Sequence, residues 1–104
     1  MNVQEMLRQA QRLKAKIEQK QKELAKETVE GTAGGGMVVV TATLARELVS
    51  VKIEKEVVNP DDVEMLQDLI VAATNQALAR AKETMDAEMQ KVAPGIGGFP
   101  AGLL

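Results

Sequence analysis

Apolar residues recur every three or four positions in two long stretches, and between these the pattern switches to alternation. In the first stretch Met6, Ala10, Leu13, Ile17 and Leu24 make one stripe, flanked by Val3 and Leu7, with Lys20 in the slot that would complete it. No Gly or Pro interrupts this run, and its polar positions are Gln, Lys, Glu and Arg, all good helix formers. The spacing predicts an amphipathic helix over residues 3–26, close to a coiled-coil seam. The second stretch predicts a helix over residues 61–91, with Val63, Leu66, Leu69, Ile70, Ala73, Ala77, Leu78, Ala81, Met85 and Met89 as its apolar positions. Asn59 is placed to cap it, Pro60 suits a first helical position, and Asp61, Asp62 and Glu64 suit the positive end of the dipole. Ala73, Ala77 and Ala81 would let another element approach closely.

From Thr28 the chain turns β-branched and glycine-rich. Residues 28–33 predict a short strand, Gly34, Gly35 and Gly36 a turn, and residues 37–44 a second strand. In that strand Val38, Val40, Ala42 and Leu44 share one face, and Val39, Thr41 and Thr43 the other. Residues 48–55 predict a third strand, alternating Val49, Val51 and Ile53 against Ser50, Lys52 and Glu54. The connection Ala45-Arg46-Glu47 lacks the Gly or Asn of a tight two-residue hairpin, leaving a three-residue loop as the option.

The class is therefore α+β, an α-β-β-β-α protomer with a small antiparallel sheet flanked by two long helices. At 1.5 Å per residue the helices would run roughly 36 and 45 Å, against about 24 Å for a seven-residue strand. The helices outrun the sheet. Two helices covering one sheet face leave the other face and the edges open, and an edge is a template for pairing. This favours a sheet-mediated homodimer with protruding helical arms. Its expected interface is Val38, Val39, Val40, Thr41, Val49, Val51 and Ile53. Residues 1–93 form the domain, and the Gly/Pro-rich residues 94–104 are expected to be a flexible tail.

Composition removes whole classes of chemistry. The chain has no His, Cys, Trp or Tyr, and Phe99 is its one aromatic residue. A His-dependent triad and a Cys/His metal site are excluded, and base stacking on aromatic platforms lacks its platforms. No constellation for an enzyme is present, and no cofactor is expected. No apolar run is long enough to span a bilayer. Glu5, Arg8 and Arg12 break any early signal-peptide pattern, so a cytoplasmic location is expected.

The net charge of -2 hides a gradient. Residues 1–27 are net basic by three charges, and residues 48–104 are net acidic by four. Arg8, Arg12, Lys16 and Lys20 recur every four residues, with Lys14, Lys22 and Lys26 around them. Such a ladder suits phosphates, and each neutralised phosphate releases counterions. An ordinary solvated helix face, with Glu5, Glu18 and Glu23 as intrahelical partners, accounts for the same residues, and the pattern alone favours it. Arg80 and Lys82 are weaker candidates. Gly31-Thr32-Ala33-Gly34-Gly35-Gly36 lacks the Lys and Ser/Thr that must follow a phosphate-cradling loop. The acidic group Glu54, Glu56, Asp61, Asp62 and Glu64 fits no calcium-loop spacing.

Several segments resemble the YbaB/EbfC family of nucleoid-associated proteins: Met6-Leu7-Arg8-Gln9-Ala10-Gln11, Val51-Lys52-Ile53, the run from Asp62 through Met65 and Leu66 to Ile70, Ala72-Ala73-Thr74-Asn75-Gln76-Ala77, and the Gly/Pro-rich tail. The resemblance spans nearly the whole chain and is most specific over residues 64–77. It implies a tweezers-shaped homodimer that binds double-stranded DNA, with a role in nucleoid organisation and gene expression, and no catalysis. It singles out the helical arms without one sharp contact motif. The candidates Arg8, Arg12, Lys14, Lys16, Lys20, Arg80 and Lys82 therefore rest on charge and exposure. Where the family commonly carries Gly or Asn, this chain reads Leu44-Ala45-Arg46-Glu47. The rival reading is a protein-binding module gripping a replication or repair partner through its helical arms.

Overall fold

The computed structural model describes residues 2–94. The expectation of a flexible tail over residues 94–104 falls, beyond Pro94, outside the described residues. The element order is α1 (Val3–Leu24), β1 (Thr28–Ala33), β2 (Val38–Thr43), β3 (Leu48–Ile53) and α2 (Val63–Val92), with a 3-10 turn over Lys55–Val57. The strands form one antiparallel sheet in the order β1-β2-β3. The α-β-β-β-α order is as the periodicity predicts.

The helix ends differ from the predicted ones by a few residues, each for a local reason. Asn2 caps α1 by accepting from the Glu5 N–H (2.8 Å). The helix stops at Leu24 instead of Lys26, because the Lys26 and Glu27 N–H groups bond back to Glu23 and Leu24 in a tight turn that feeds β1. At the start of α2 the cap is Asp62, whose carboxylate accepts from the Met65 N–H (3.2 Å). Asn59 instead starts the preceding turn, accepting from the Asp61 N–H (2.9 Å), and Pro60 lies in that turn. Asp62→Ala should lower stability by about 1 kcal/mol in chemical denaturation, and Asn59→Ala by less, because only the Asp62 carboxylate bonds the helix itself.

Residues 44–47 connect β2 to β3, and the three-residue loop is Leu44-Ala45-Arg46, one residue earlier than expected, closed by Thr43 N–H to Glu47 O (2.8 Å) and Arg46 N–H to Thr43 O (2.9 Å). Arg46 takes the left-handed conformation (φ 64°) that such a loop needs at its third residue, a position where Gly or Asn is more usual. At the other end of the sheet Gly34, Gly35 and Gly36 all have positive φ, which explains the triple glycine.

The core lies between α2 and one sheet face. Val38, Val40 and Ala42 are fully buried with Ala73, Ala77 and Val57, and Leu66, Leu69, Ile70, Leu78 and Ile53 pack around them. This fixes which face of β2 is inside. It also corrects two expected interface residues: Val38 and Val40 have no exposed surface, because α2 of the same protomer covers them. The alanines let α2 approach so closely that a Cβ on Gly31 would collide with the Ala73 carbonyl and the Ala77 backbone nitrogen, and would sit 3.0 Å from the Ala77 Cα. A second cluster joins Leu24, Leu44 and Ala81, with Val29, Met85 and Met89 against it, and ties the end of α1 to α2 and to the β2–β3 hairpin.

α2 packs over β1 and β2, whereas α1 packs chiefly against α2 and meets the sheet at its end, through Leu24 beside Val29 and Leu44. Every residue of α1 from Val3 to Lys16 is exposed, including the apolar Val3 (71%), Met6, Leu7 and Leu13. The protomer is accordingly drawn out to 70 × 21 × 18 Å.

Candidate nucleic-acid interface

α1 is an arm with a free half. Arg8, Arg12, Lys14 and Lys16 all lie on that half and are exposed. Successive members of Arg8, Arg12 and Lys16 rise about 6 Å along the helix and turn by roughly 40°, so the basic edge winds slowly along the arm. Lys20 sits lower and is half-buried, as expected for a lysine that takes a slot in the apolar stripe. Lys14 is partly answered within the helix by Glu18 at 3.9 Å, but both side chains are more than half exposed, so the pair adds little stability and leaves Lys14 available.

The two α2 candidates separate. Arg80 is committed to the fold: its Nη1 donates to the Glu30 carbonyl on β1 at 2.8 Å. One turn earlier Gln76 accepts from the Thr32 N–H at 2.7 Å. Lys82 is exposed and lies next to the buried Ala81 that anchors α2 to Leu24 and Leu44. Arg80→Ala should cost about 1 kcal/mol of stability, while a duplex-DNA titration should show its salt slope changed by less than about one unit. A loss of slope equal to that from an α1 arginine would place Arg80 among the contacts instead.

Arg46 is one basic residue that the sequence patterns passed over. It is exposed at the tip of the β2–β3 hairpin. The buried Leu44 packs on Leu24 and Ala81, which puts this tip at the foot of the arm. Its signal in the sequence was weak, because a lone Arg in a loop has no spacing to distinguish it.

Among the described residues no group of acidic side chains is arranged to hold a metal ion, and no helix is long and apolar enough to cross a membrane. What the site offers chemically is positive charge on an extended, rod-like support, flanked by an exposed apolar stripe. Exposed cations spaced along one rod, without aromatic partners, suit contact with a run of backbone phosphates.

Comparison with known proteins gives the family and the fold. The sequence model of the YbaB/EbfC DNA-binding family matches residues 1–96. A nucleoid-associated protein of Acetivibrio thermocellus is 48% identical over 99 residues, covering 95% of this chain and 88% of that protein. A nucleoid-associated protein of Thermodesulfovibrio yellowstonii is 56% identical over 88 residues, covering 85% of this chain and 77% of its own length. The crystal structure of an uncharacterized protein from Helicobacter pylori superposes with a TM-score of 0.75 at 21% identity, covering 88% of this chain and 96% of that one. That likeness shows the fold.

Proposed function

This chain belongs to the YbaB/EbfC DNA-binding family, matched over residues 1–96, and from that premise we propose that it binds double-stranded DNA as a homodimer, mainly through backbone phosphates, and so helps to organise the nucleoid and to influence gene expression. The observation that carries this reading is the free half of α1. It presents Arg8, Arg12, Lys14 and Lys16 to solvent on a support that no other element among the described residues covers. A dimer doubles that charge, and two arms acting together raise the effective concentration of the second contact. A bacterial cytoplasm, at the nucleoid, is the corresponding location.

With charge as the main contact, sequence preference should be modest. The whole chain carries a net charge of -2, so attraction depends on the arms facing the duplex while the acidic remainder faces away. Binding of labelled duplexes of unrelated sequence, followed by fluorescence anisotropy, tests this. Affinities within about tenfold of one another are expected, against the 10³-fold or greater preference of a base-reading protein. The exposed Val3, Met6, Leu7 and Leu13 stripe beside the basic edge supports a second reading, in which the arms grip a protein partner. Absence of duplex binding at low salt would favour that reading over DNA.

A further inference from the structure

The basic residues of α1 do not run straight along the arm. Arg8, Arg12, Lys16 and Lys20 each stand about 6 Å further along the helix and roughly 40° further round it than the one before. The track therefore winds toward the side on which α1 meets α2 and the β2–β3 hairpin, and Lys20 is already half-buried there. One more step of four residues reaches Leu24, which is buried against Leu44 of the hairpin and Ala81 of α2. That position is spent on the core, so the helix supplies no further cation in this direction. The hairpin supplies one. Arg46 is exposed two residues beyond Leu44, and the Leu44 N–H donates to the Glu27 carbonyl (3.0 Å), which holds the hairpin tip to the end of α1.

Arg46 is held in place at a conformational cost. Its backbone is left-handed (φ 64°), which any side chain larger than that of Gly or Asn opposes. Glycine would close the same loop without that strain. The fold draws nothing from the side chain in return. Among the described residues the Arg46 guanidinium makes no hydrogen bond and no ion pair, although Glu47 is its neighbour in sequence and Glu27 is tied to the same hairpin. Arg80 is the contrast, since its guanidinium is bound to the Glu30 carbonyl. A residue that strains the backbone and gives the fold no contact points to a role outside the fold.

We propose that Arg46 binds a backbone phosphate of the duplex held by the α1 arm, as the rung that follows Lys20 on the basic track. The contact rests on α1 being the arm that binds DNA, and it extends that surface from the helix to the sheet. Cations on a rod alone leave the rod free to roll and tilt against a row of phosphates. A contact from the hairpin, set to one side of the rod's foot, fixes that tilt and brings the duplex against the body of the protomer. The forked donors of a guanidinium suit a single phosphate held in this way. The strain at φ 64° is then the cost of placing a cation where the core has taken the helix position.

Anisotropy of a labelled short duplex, titrated with the full chain at several salt concentrations, tests this. Arg46→Gly removes the cation and relaxes the backbone together. It should unfold at or above the native temperature in thermal circular dichroism, and yet bind the duplex roughly tenfold or more weakly near 0.1 M salt. Its line of log affinity against log salt should be shallower by about one unit for each Arg46 in the complex, hence by about two for a dimer. Arg46→Lys keeps the charge and should keep the native slope. Native affinity and slope in Arg46→Gly overturn the contact and leave the α1 arm as the whole binding surface. A slope in Arg46→Lys that falls as far as in Arg46→Gly also overturns it, because the loss is then not one of charge. A native chain that binds no duplex at the lowest salt overturns the DNA-binding role of the arm itself, and this contact with it.

Discussion

Gly31→Ala will destabilise this protein more than any other single methyl group added to it. Gly31 lies in β1, paired with Val40, where α2 crosses the sheet at its closest. The added carbon would meet backbone atoms of Ala73 and Ala77, not the ends of flexible side chains. Relief therefore requires α2 to lift off the sheet. Lifting it would open the packing around Val38, Val40 and Ala42 and stretch the Gln76 and Arg80 bonds to β1 together. Overpacking against a rigid backbone costs upwards of about 3 kcal/mol, which for a chain of this size lowers the melting temperature by roughly 15 °C or more. Thermal unfolding by circular dichroism reads this directly. Gly35→Ala is the comparison, because nothing lies within 4 Å of its added carbon and only its left-handed backbone (φ 68°) opposes the change. It should cost about 1 kcal/mol. Equal losses at the two sites would mean that the α2–sheet contact is looser than the alanine stripe makes it.

The second large effect belongs to the arm. Arg8→Ala/Arg12→Ala/Lys16→Ala removes three exposed cations per protomer from α1 and should leave the fold intact, because none of them contacts the core. Alanine also keeps the helix propensity high. If each cation neutralises one phosphate, a dimer loses six contacts, and the salt slope falls by about five units. Affinity near 0.1 M salt should then drop by 10²-fold or more, with unfolding temperature almost unchanged. The same substitutions would leave the binding of an apolar protein partner nearly unaffected, so the result separates the two readings of the arm.

What could be read from the chain follows the strength of each local signal. The helices and their order were legible because periodicity over twenty or more residues has few other solutions, and the three strands because the alternation changes abruptly at Thr28. The inner face of β2 was harder. Val38 and Val39 are both β-branched, so either set suits a buried face, and the answer depends on where α2 lands. The free half of α1 was legible from length: a stripe such as Met6, Leu7, Ala10 and Leu13 runs on past anything the short sheet can cover. The Gln76 and Arg80 bonds to β1 span 44 and 50 residues and leave no trace in local pattern. For the candidate site, Arg8, Arg12, Lys14 and Lys16 are exposed because the outer half of α1 is uncovered on every side, its apolar stripe included, and Lys20 is half-buried because it takes a slot in that stripe where α1 nears α2.

The central claim is that charge on the α1 arms holds duplex DNA. The most direct test is the affinity of the native chain for a short duplex at a series of salt concentrations from about 50 to 200 mM. The account predicts a straight line of log affinity against log salt, falling with a slope of about -5 or steeper, and nearly the same line for duplexes of unrelated sequence. A flat line, or no binding at the lowest salt, would contradict it.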